Sequence, residues 1–265
     1  MSKPILNVIK VGGNVLDDAT QLDQFLKDFA QVPGAKILVH GGGKIATTLG
    51  NHLGIAANYH QGRRITDKAT LDLVTMVYGG LVNKQLVAGL QALNCNAIGL
   101  TGADGNIIPA AKRPVKTIDY GFVGDVQSEK INSSLLNQFL QLQIVPILAP
   151  LTHDLEGSIL NTNADTIASA IAIALSEQWQ VRLIYCFEKK GVLLDVNDEE
   201  SVVRLISPAV YQQLLAENRI ADGILPKLEN AFAAINSGVH EVLIGHANDV
   251  IANTGQQTKG TLIAA

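Results

Sequence analysis

The chain alternates between two hydrophobic rhythms. Short unbroken apolar runs, of the kind a strand buried on both faces requires, recur along its length. They are ILNVIKV (5–11), KILVH (36–40), NAIGL (96–100), IVPILAP (144–150), VRLIYCF (181–187) and EVLIG (241–245). Between them lie segments whose apolar residues return every three or four positions. The clearest is Asp18–Ala30, where Leu22, Phe25, Leu26 and Phe29 share one helical face. Further helices are expected from about Lys44 to Leu53, near Asn132–Leu142, and over 163–176, 207–217 and 224–237. Residues 66–93 read as one long helix or two short ones, interrupted near Gly79-Gly80. A short closing strand is expected near GTLIA (260–264).

Three stretches follow neither rhythm. From Thr101 to about Ser128 short runs are split by Gly, Pro and Asp, which reads as edge hairpins. THDLEGSIL (152–160) reads as a hairpin turning at Glu156-Gly157, and residues 55–66 do not read as a strand. Strands joined by helical crossovers pair in parallel. The expected class is therefore α/β, with one continuous sheet. No shift in composition marks a linker, so a single domain over 1–265 is expected, with lobes 1–151 and 152–265 and a cleft between them.

Composition narrows the function. Hydrophobic residues make up 47% and aromatics only 5%, so the core is built from Ala, Val, Ile and Leu. A net charge of −4 gives no general reason to expect nucleic acid or an anionic membrane as a partner. The N-terminus lacks a signal-peptide pattern, and no continuous apolar stretch reaches the roughly 18 to 20 residues of a membrane span. A cytoplasmic location is expected. Cys95 and Cys186 lie in strand-like contexts and read as buried thiols rather than a disulfide or metal pair.

Two loops of one type follow predicted strands, KVGGN (10–14) and HGGGK (40–44). Glycine loses more backbone freedom on folding than any other residue, so three in a row point to something approaching the main chain. At the carboxyl end of a parallel strand, successive N–H groups and a helix N-terminus can face one anion. The plain alternative is a tight strand-to-helix turn. A Walker A loop is excluded, because Lys44 is followed by Ile45 and its first glycine position is Leu38. GGGKIA (41–46) satisfies the dinucleotide pattern G-x-G-x-x-A, but no acidic residue closes a following strand, so that match is weak.

Four further groups carry chemistry. Lys10 stands beside its glycines in an apolar run, and a lysine there is expected to face the cleft. Arg63 and Arg64 in QGRRIT suit a bidentate grip on a carboxylate, or else are solvated loop charges. In NTNAD (161–165), helix capping accounts for one of Asn161, Asn163 and Asp165 but not for all three. Lys227 in DGILPKLENA (222–231) follows Pro226, which has no N–H to lose in a first helical turn.

In this order KVGGN, VHGGGK, GRRIT, TGADGN, NTNAD and DGILPKLENA resemble the amino-acid kinase family over essentially the whole chain. The likeness is strongest to members that phosphorylate the γ-carboxylate of an N-acyl-L-glutamate. It implies a three-layer αβα sandwich around an eight-stranded, largely parallel open sheet, the acyl amino acid on the N-terminal lobe, and ATP with its Mg2+ on the C-terminal lobe. Lys10 and Lys227 match the lysines that stabilise the transferring phosphoryl group, and Asp165 the aspartate that holds them. Gly12 and Gly13 match the first phosphate loop, and Gly42 and Gly43 match backbone contacts to substrate and phosphate. Arg64 matches the clamp on the α-carboxylate, Asn161 the contact on the amide side, and Arg219, Ile220 and Ala221 the nucleotide contacts. A carboxylate with a reference pKa of about 4.3 is already ionised at neutral pH, so no general base and no protein-held metal is expected.

The chain departs from the family pattern in two places. Where many relatives carry Ser-Asp-x-x-Gly toward the nucleotide, it has FEKKG (187–191). Glu188 then stands for the aspartate and Lys189 or Lys190 is open to a phosphate, or the stretch is a charged loop. Lys44 and Arg63 are two cations beyond what an acetyl group needs. The acyl group is thus open between acetyl, the substrate of the second step of arginine biosynthesis, and succinyl, whose free carboxylate they could pair. The rival of another class is a sensing module without turnover, against which the retention of both Lys10 and Lys227 argues. With the first strand starting by about Pro4, the resemblance implies a homodimer without feedback inhibition by arginine.

Overall fold

The apolar runs become strands because the sheet they form is covered on both sides. In the computed structural model, which describes residues 3–60, 62–195, 197–217, 219 and 224–265, β1 (Ile5–Val11) is buried from Leu6 to Val11. Five more strands come from the other apolar runs: β2 (Ala35–His40), β5 (Ala97–Leu100), β8 (Val145–Leu148), β11 (Gln180–Phe187) and β13 (Glu241–His246). β12 (Leu205–Ile206) and β14 (Thr261–Ile263) complete an eight-stranded sheet in the order β12-β14-β13-β11-β1-β2-β8-β5. All pairings are parallel except β13 with β14. Three two-stranded hairpins lie outside it: β3 (Asn58–His60) with β4 (Arg63–Ile65), β6 (Ala110–Lys112) with β7 (Gly124–Val126), and β9 (Leu151–His153) with β10 (Ile159–Asn161).

Each face of the sheet carries its own core. Leu6 and Val8 of β1 pack under the helix Ala164–Leu175, while Ile9 and Val11 face the helix Ala19–Gln31 and its neighbours. This is the expected three-layer sandwich. Strand alternation places Lys10 on the side of Leu6 and Val8, opposite Tyr185 of β11 and Val39 of β2.

The structure differs from the sequence pattern in two elements. Residues 68–92 form one helix that Gly79-Gly80 does not break, with a π-helical stretch over Thr75–Val82. Val77, Tyr78 and Val82 are buried there, and that packing outweighs a glycine cost of about 1 kcal/mol per residue. By length and composition this helix could cross a bilayer, but 44% of its apolar window is buried inside the protein. Asn58–His60 and Arg63–Ile65, which carry no strand rhythm, pair as the β3–β4 hairpin. Its partners are polar: Thr66 N–H donates to the Tyr120 carbonyl, and Phe122 N–H to that of Thr66.

Candidate active site

The two glycine loops meet at the carboxyl ends of β1 and β2. Gly41 N–H donates to the Val11 carbonyl at 3.1 Å, and a Cβ on Gly41 would stand 3.6 Å from Gly13 N. Gly42 has φ = +146°, and a Cβ there would lie 2.9 Å from the Tyr78 ring. No other residue fits that position. Gly12 and Gly42 lead into the helices Gly13–Asp17 and Gly43–His52, so both loops end at helix N-termini.

His40 braces the second loop from below. Its Nδ1–H donates to the Gly41 carbonyl at 2.7 Å, and its Nε2 accepts from Asn83 Nδ2 at 3.1 Å. The tautomer follows because a carbonyl can only accept. Asn83 also donates to the Ile147 carbonyl at 2.9 Å, tying the loop to β8. Complete burial pushes the His40 pKa down to about 4, so the ring is neutral at pH 7.

Beside these loops lies a cavity of about 200 Å³, lined by Gly41–Gly43, Arg63, Arg64, Tyr78, Arg113 and Asn161 among others. The buried Arg64 guanidinium packs 4.8 Å from the Tyr59 ring centroid. Its Nη2 donates to the Gly43 carbonyl at 2.9 Å, to Thr47 Oγ1 at 2.7 Å and to the Tyr59 hydroxyl. That anchoring explains why so polar a hairpin is ordered. Asn161 ends β10 and donates through Nδ2 to Thr66 Oγ1 at 3.0 Å. Arg113 is gripped by Asp125 at the rim.

On the adjoining side Lys10 Nζ pairs with Asp165 Oδ1 at 2.8 Å. Asp165 stands in the first turn of the helix Ala164–Leu175, whose cap is Asn163, accepting from Asp165 N at 2.8 Å and Thr166 N at 3.1 Å. Lys227, near the start of the helix Leu225–Asn236, places its Nζ 3.6 Å from the Phe187 ring centroid. The Lys10 Nζ lies 5.2 Å from the same centroid. Burial lowers the Lys227 pKa from its ordinary value; Asp165 opposes this, Lys10 adds to it and Glu188 opposes it. A smaller cavity of about 170 Å³ is lined by Lys10, Gly12, Gly13, Asn14, Phe187 and Glu188.

The remaining expected residues are not brought together. Lys44 is exposed and faces Asp17 at 3.8 Å, outside the cavity that Arg63 and Arg64 line. Arg219 sits 3.7 Å from Glu217 and lines neither cavity, while Ile220 and Ala221 lie outside the described residues. Lys189 and Lys190 pair with Glu199 and Glu200, so that part of FEKKG is a charged loop, and Glu188 is the carboxylate it leaves at the cavity. Sequence reasoning missed His40 with Asn83, Tyr59, Arg113 and Phe187. Only His40 left a trace, as a histidine ending an apolar strand directly before glycines.

An open parallel sheet, two glycine loops at its carboxyl edge and lysines flanking them define a site built to hold small anions. The sequence model of the amino acid kinase family matches residues 6–246, and this chain belongs to that family. It is 55% identical over 257 residues to the acetylglutamate kinase of Bacteroides fragilis, covering 97% of this chain and 98% of that one. It is 37% identical over 254 residues to the acetylglutamate kinase of Methanopyrus kandleri, covering 94% and 98%. Among solved structures, N-acetylglutamate synthase from Neisseria gonorrhoeae has the same fold, with a TM-score of 0.81 at 23% identity. That match covers 100% of this chain, which spans 60% of the other protein's length. Carbamate kinase from Giardia lamblia matches at a TM-score of 0.72 and 13% identity, over 100% and 99% of the two chains.

Proposed function

We propose that this protein phosphorylates the γ-carboxylate of N-acetyl-L-glutamate, with Mg-ATP as donor, in the second step of arginine biosynthesis. The near-full-length identity to acetylglutamate kinases supports the activity. The observation that carries the site assignment is the convergence of Lys10, Asp165 and Lys227 beside a cavity lined by Arg64 and Asn161. Arg64 takes the α-carboxylate and Asn161 the amide side. Gly42 and Gly43 bring main-chain N–H groups to the substrate, and Gly12 and Gly13 bring theirs to the phosphates. Glu188 borders the nucleotide side.

In the reaction a γ-carboxylate oxygen forms a bond to the γ-phosphorus of ATP as the bond to the β,γ-bridging oxygen breaks, and ADP leaves. The carboxylate is already ionised, so no proton moves. Catalysis then rests on alignment and on charge held at the transferring group. Lys10 and Lys227 supply that charge, and Asp165 fixes Lys10 at 2.8 Å. Magnesium would enter with ATP on the side that Gly12, Gly13 and Glu188 line, and would supply further positive charge to the phosphates.

N-succinyl-L-glutamate is the second reading, favoured by one observation: Arg63 and Arg113 line the same cavity as Arg64. Purified protein with Mg-ATP and hydroxylamine, which traps acyl phosphates, separates the readings by kcat/KM on N-acetyl-L-glutamate, N-succinyl-L-glutamate and L-glutamate. A tenfold preference, about 1.4 kcal/mol, names the substrate. Hydroxamate from none of the three removes the kinase reading and leaves the sensing module.

A further inference from the structure

We propose that Phe187 is a positioning residue for phosphoryl transfer, its ring face holding the Lys227 ammonium in place beside Lys10. This rests on the reading of Lys10 and Lys227 as the two cations that meet the transferring phosphoryl group. Phe187 is the last residue of β11, and alternation sets it on the same side as Tyr185. The two rings stack at 6.2 Å with 23° between their planes, and the Tyr185 hydroxyl donates to the Asp165 carbonyl at 3.4 Å. The aromatic pair is thus a ledge on which Lys10, Asp165 and Lys227 sit.

The two lysines are held differently. Lys10 has a carboxylate at 2.8 Å, whereas among the described residues no ion pair joins Lys227 to any acidic group. Its ammonium stands over the negative face of an aromatic ring, 3.6 Å from the centroid and well inside the distance at which a cation is attracted. The charged groups that reach Lys227 are Asp165 from the helix Ala164–Leu175, Lys10 from β1 and Glu188 just beyond β11. Two ammonium groups side by side repel each other, and burial disfavours the charged form of Lys227. A second carboxylate would answer both, but it would also compete with the phosphoryl oxygens for the same N–H donors. A ring face attracts the cation without taking up a strong hydrogen bond, so the donors stay available to the substrate. Phe187 has no polar atom with which to bind nucleotide itself, so its contribution is electrostatic and positional.

The test replaces Phe187 with 3,4,5-trifluorophenylalanine, which keeps the ring's shape and drains its face, alongside Phe187→Leu and Phe187→Trp. Wild-type hydroxamate formation is measured first; its absence would defeat the kinase reading, independently of how the variants behave. With an active wild type, kcat should fall in the order Phe, trifluorophenylalanine, Leu, reaching about tenfold for Leu, while the acceptor KM stays within twofold. Trp, with a stronger ring face, should remain within threefold. The sign of the pH effect is fixed: the ring favours charged Lys227, the active form is protonated, and weakening the ring moves the alkaline limb of kcat/KM to lower pH. A trifluorinated enzyme with wild-type rate and an unmoved limb would overturn the proposal, even if the Leu variant failed to fold. Equal losses in the trifluoro and Trp variants would also overturn it, since that pattern reports packing.

Discussion

The two sides of the candidate site are built on different physics. On the side proposed to take the acceptor, each group is wired by hydrogen bonds: Arg64 to Gly43, Thr47 and Tyr59, Asn161 to Thr66, and the glycine loop to His40, which Asn83 holds in turn. On the side proposed to meet the phosphoryl group, Lys10 has one carboxylate and Lys227 an aromatic face. The difference fits what each side is proposed to do. A carboxylate and an amide are read by fixed geometry, which a network holds. A transferring phosphoryl group needs cations whose donors are still available to it, and a dense network would occupy them.

The largest expected effect comes from removing one of those cations. Lys227→Met should lower kcat by 10²-fold or more, about 2.7 kcal/mol, with acceptor affinity within twofold. Hydroxamate kinetics and calorimetry check this, and weakened acceptor binding would mean that the two sides are not separate. A sensing module would lose nothing.

Comparable in size is the pH dependence of the brace under the second glycine loop. The folded His40 pKa of about 4 lies below its ordinary 6.5, so the unfolded chain binds the extra proton between these values. Stability is therefore full above about pH 6.5 and is lost as pH falls toward 4, by up to about 3 kcal/mol. Denaturant melts of wild type and His40→Gln across that window should converge at low pH. Curves that stay parallel would show that His40 carries no such linkage.

A smaller effect is expected at the clamp. Arg64→Lys removes the planar fork and should raise the acceptor KM about 10- to 100-fold, with kcat changed less than threefold. Steady-state kinetics decide it, and a loss confined to kcat would move Arg64 to the phosphoryl side. The smallest effect belongs to Lys44, exposed and 3.8 Å from Asp17. Lys44→Ala should change stability by less than about 0.5 kcal/mol and leave the preference between acetyl and succinyl substrates unmoved. Arg63→Ala, by contrast, should shift that preference if the succinyl reading is right.

Much of this molecule was legible in one dimension. Apolar runs without alternation can be satisfied only in a sheet covered on both faces, and six of the eight strands of that sheet lie in such runs. The order of the glycine loops and of NTNAD and DGILPKLENA pointed to the family, because main-chain approach to an anion needs particular residues at adjacent positions. Elements held by polar contacts were not legible. The β3–β4 hairpin has no hydrophobic rhythm, since Arg64 and Thr66 hold it in place of a core. The helix Lys68–Ala92 runs through Gly79-Gly80 because packing around Val77 and Val82 outweighs local propensity.

The sequence by itself determined the fold class, the covered parallel sheet and the residue types available for binding anions. Local rhythm and spacing are properties of the chain and survive without a partner. Only the tertiary structure decided which cations share a site. It turned Lys44 toward Asp17, set Arg113 on the cavity beside Arg63, and laid Lys227 over Phe187, 40 positions away in the chain (227 − 187). Attraction between a charge and its partner depends on distance and burial, and both exist only once the chain has folded.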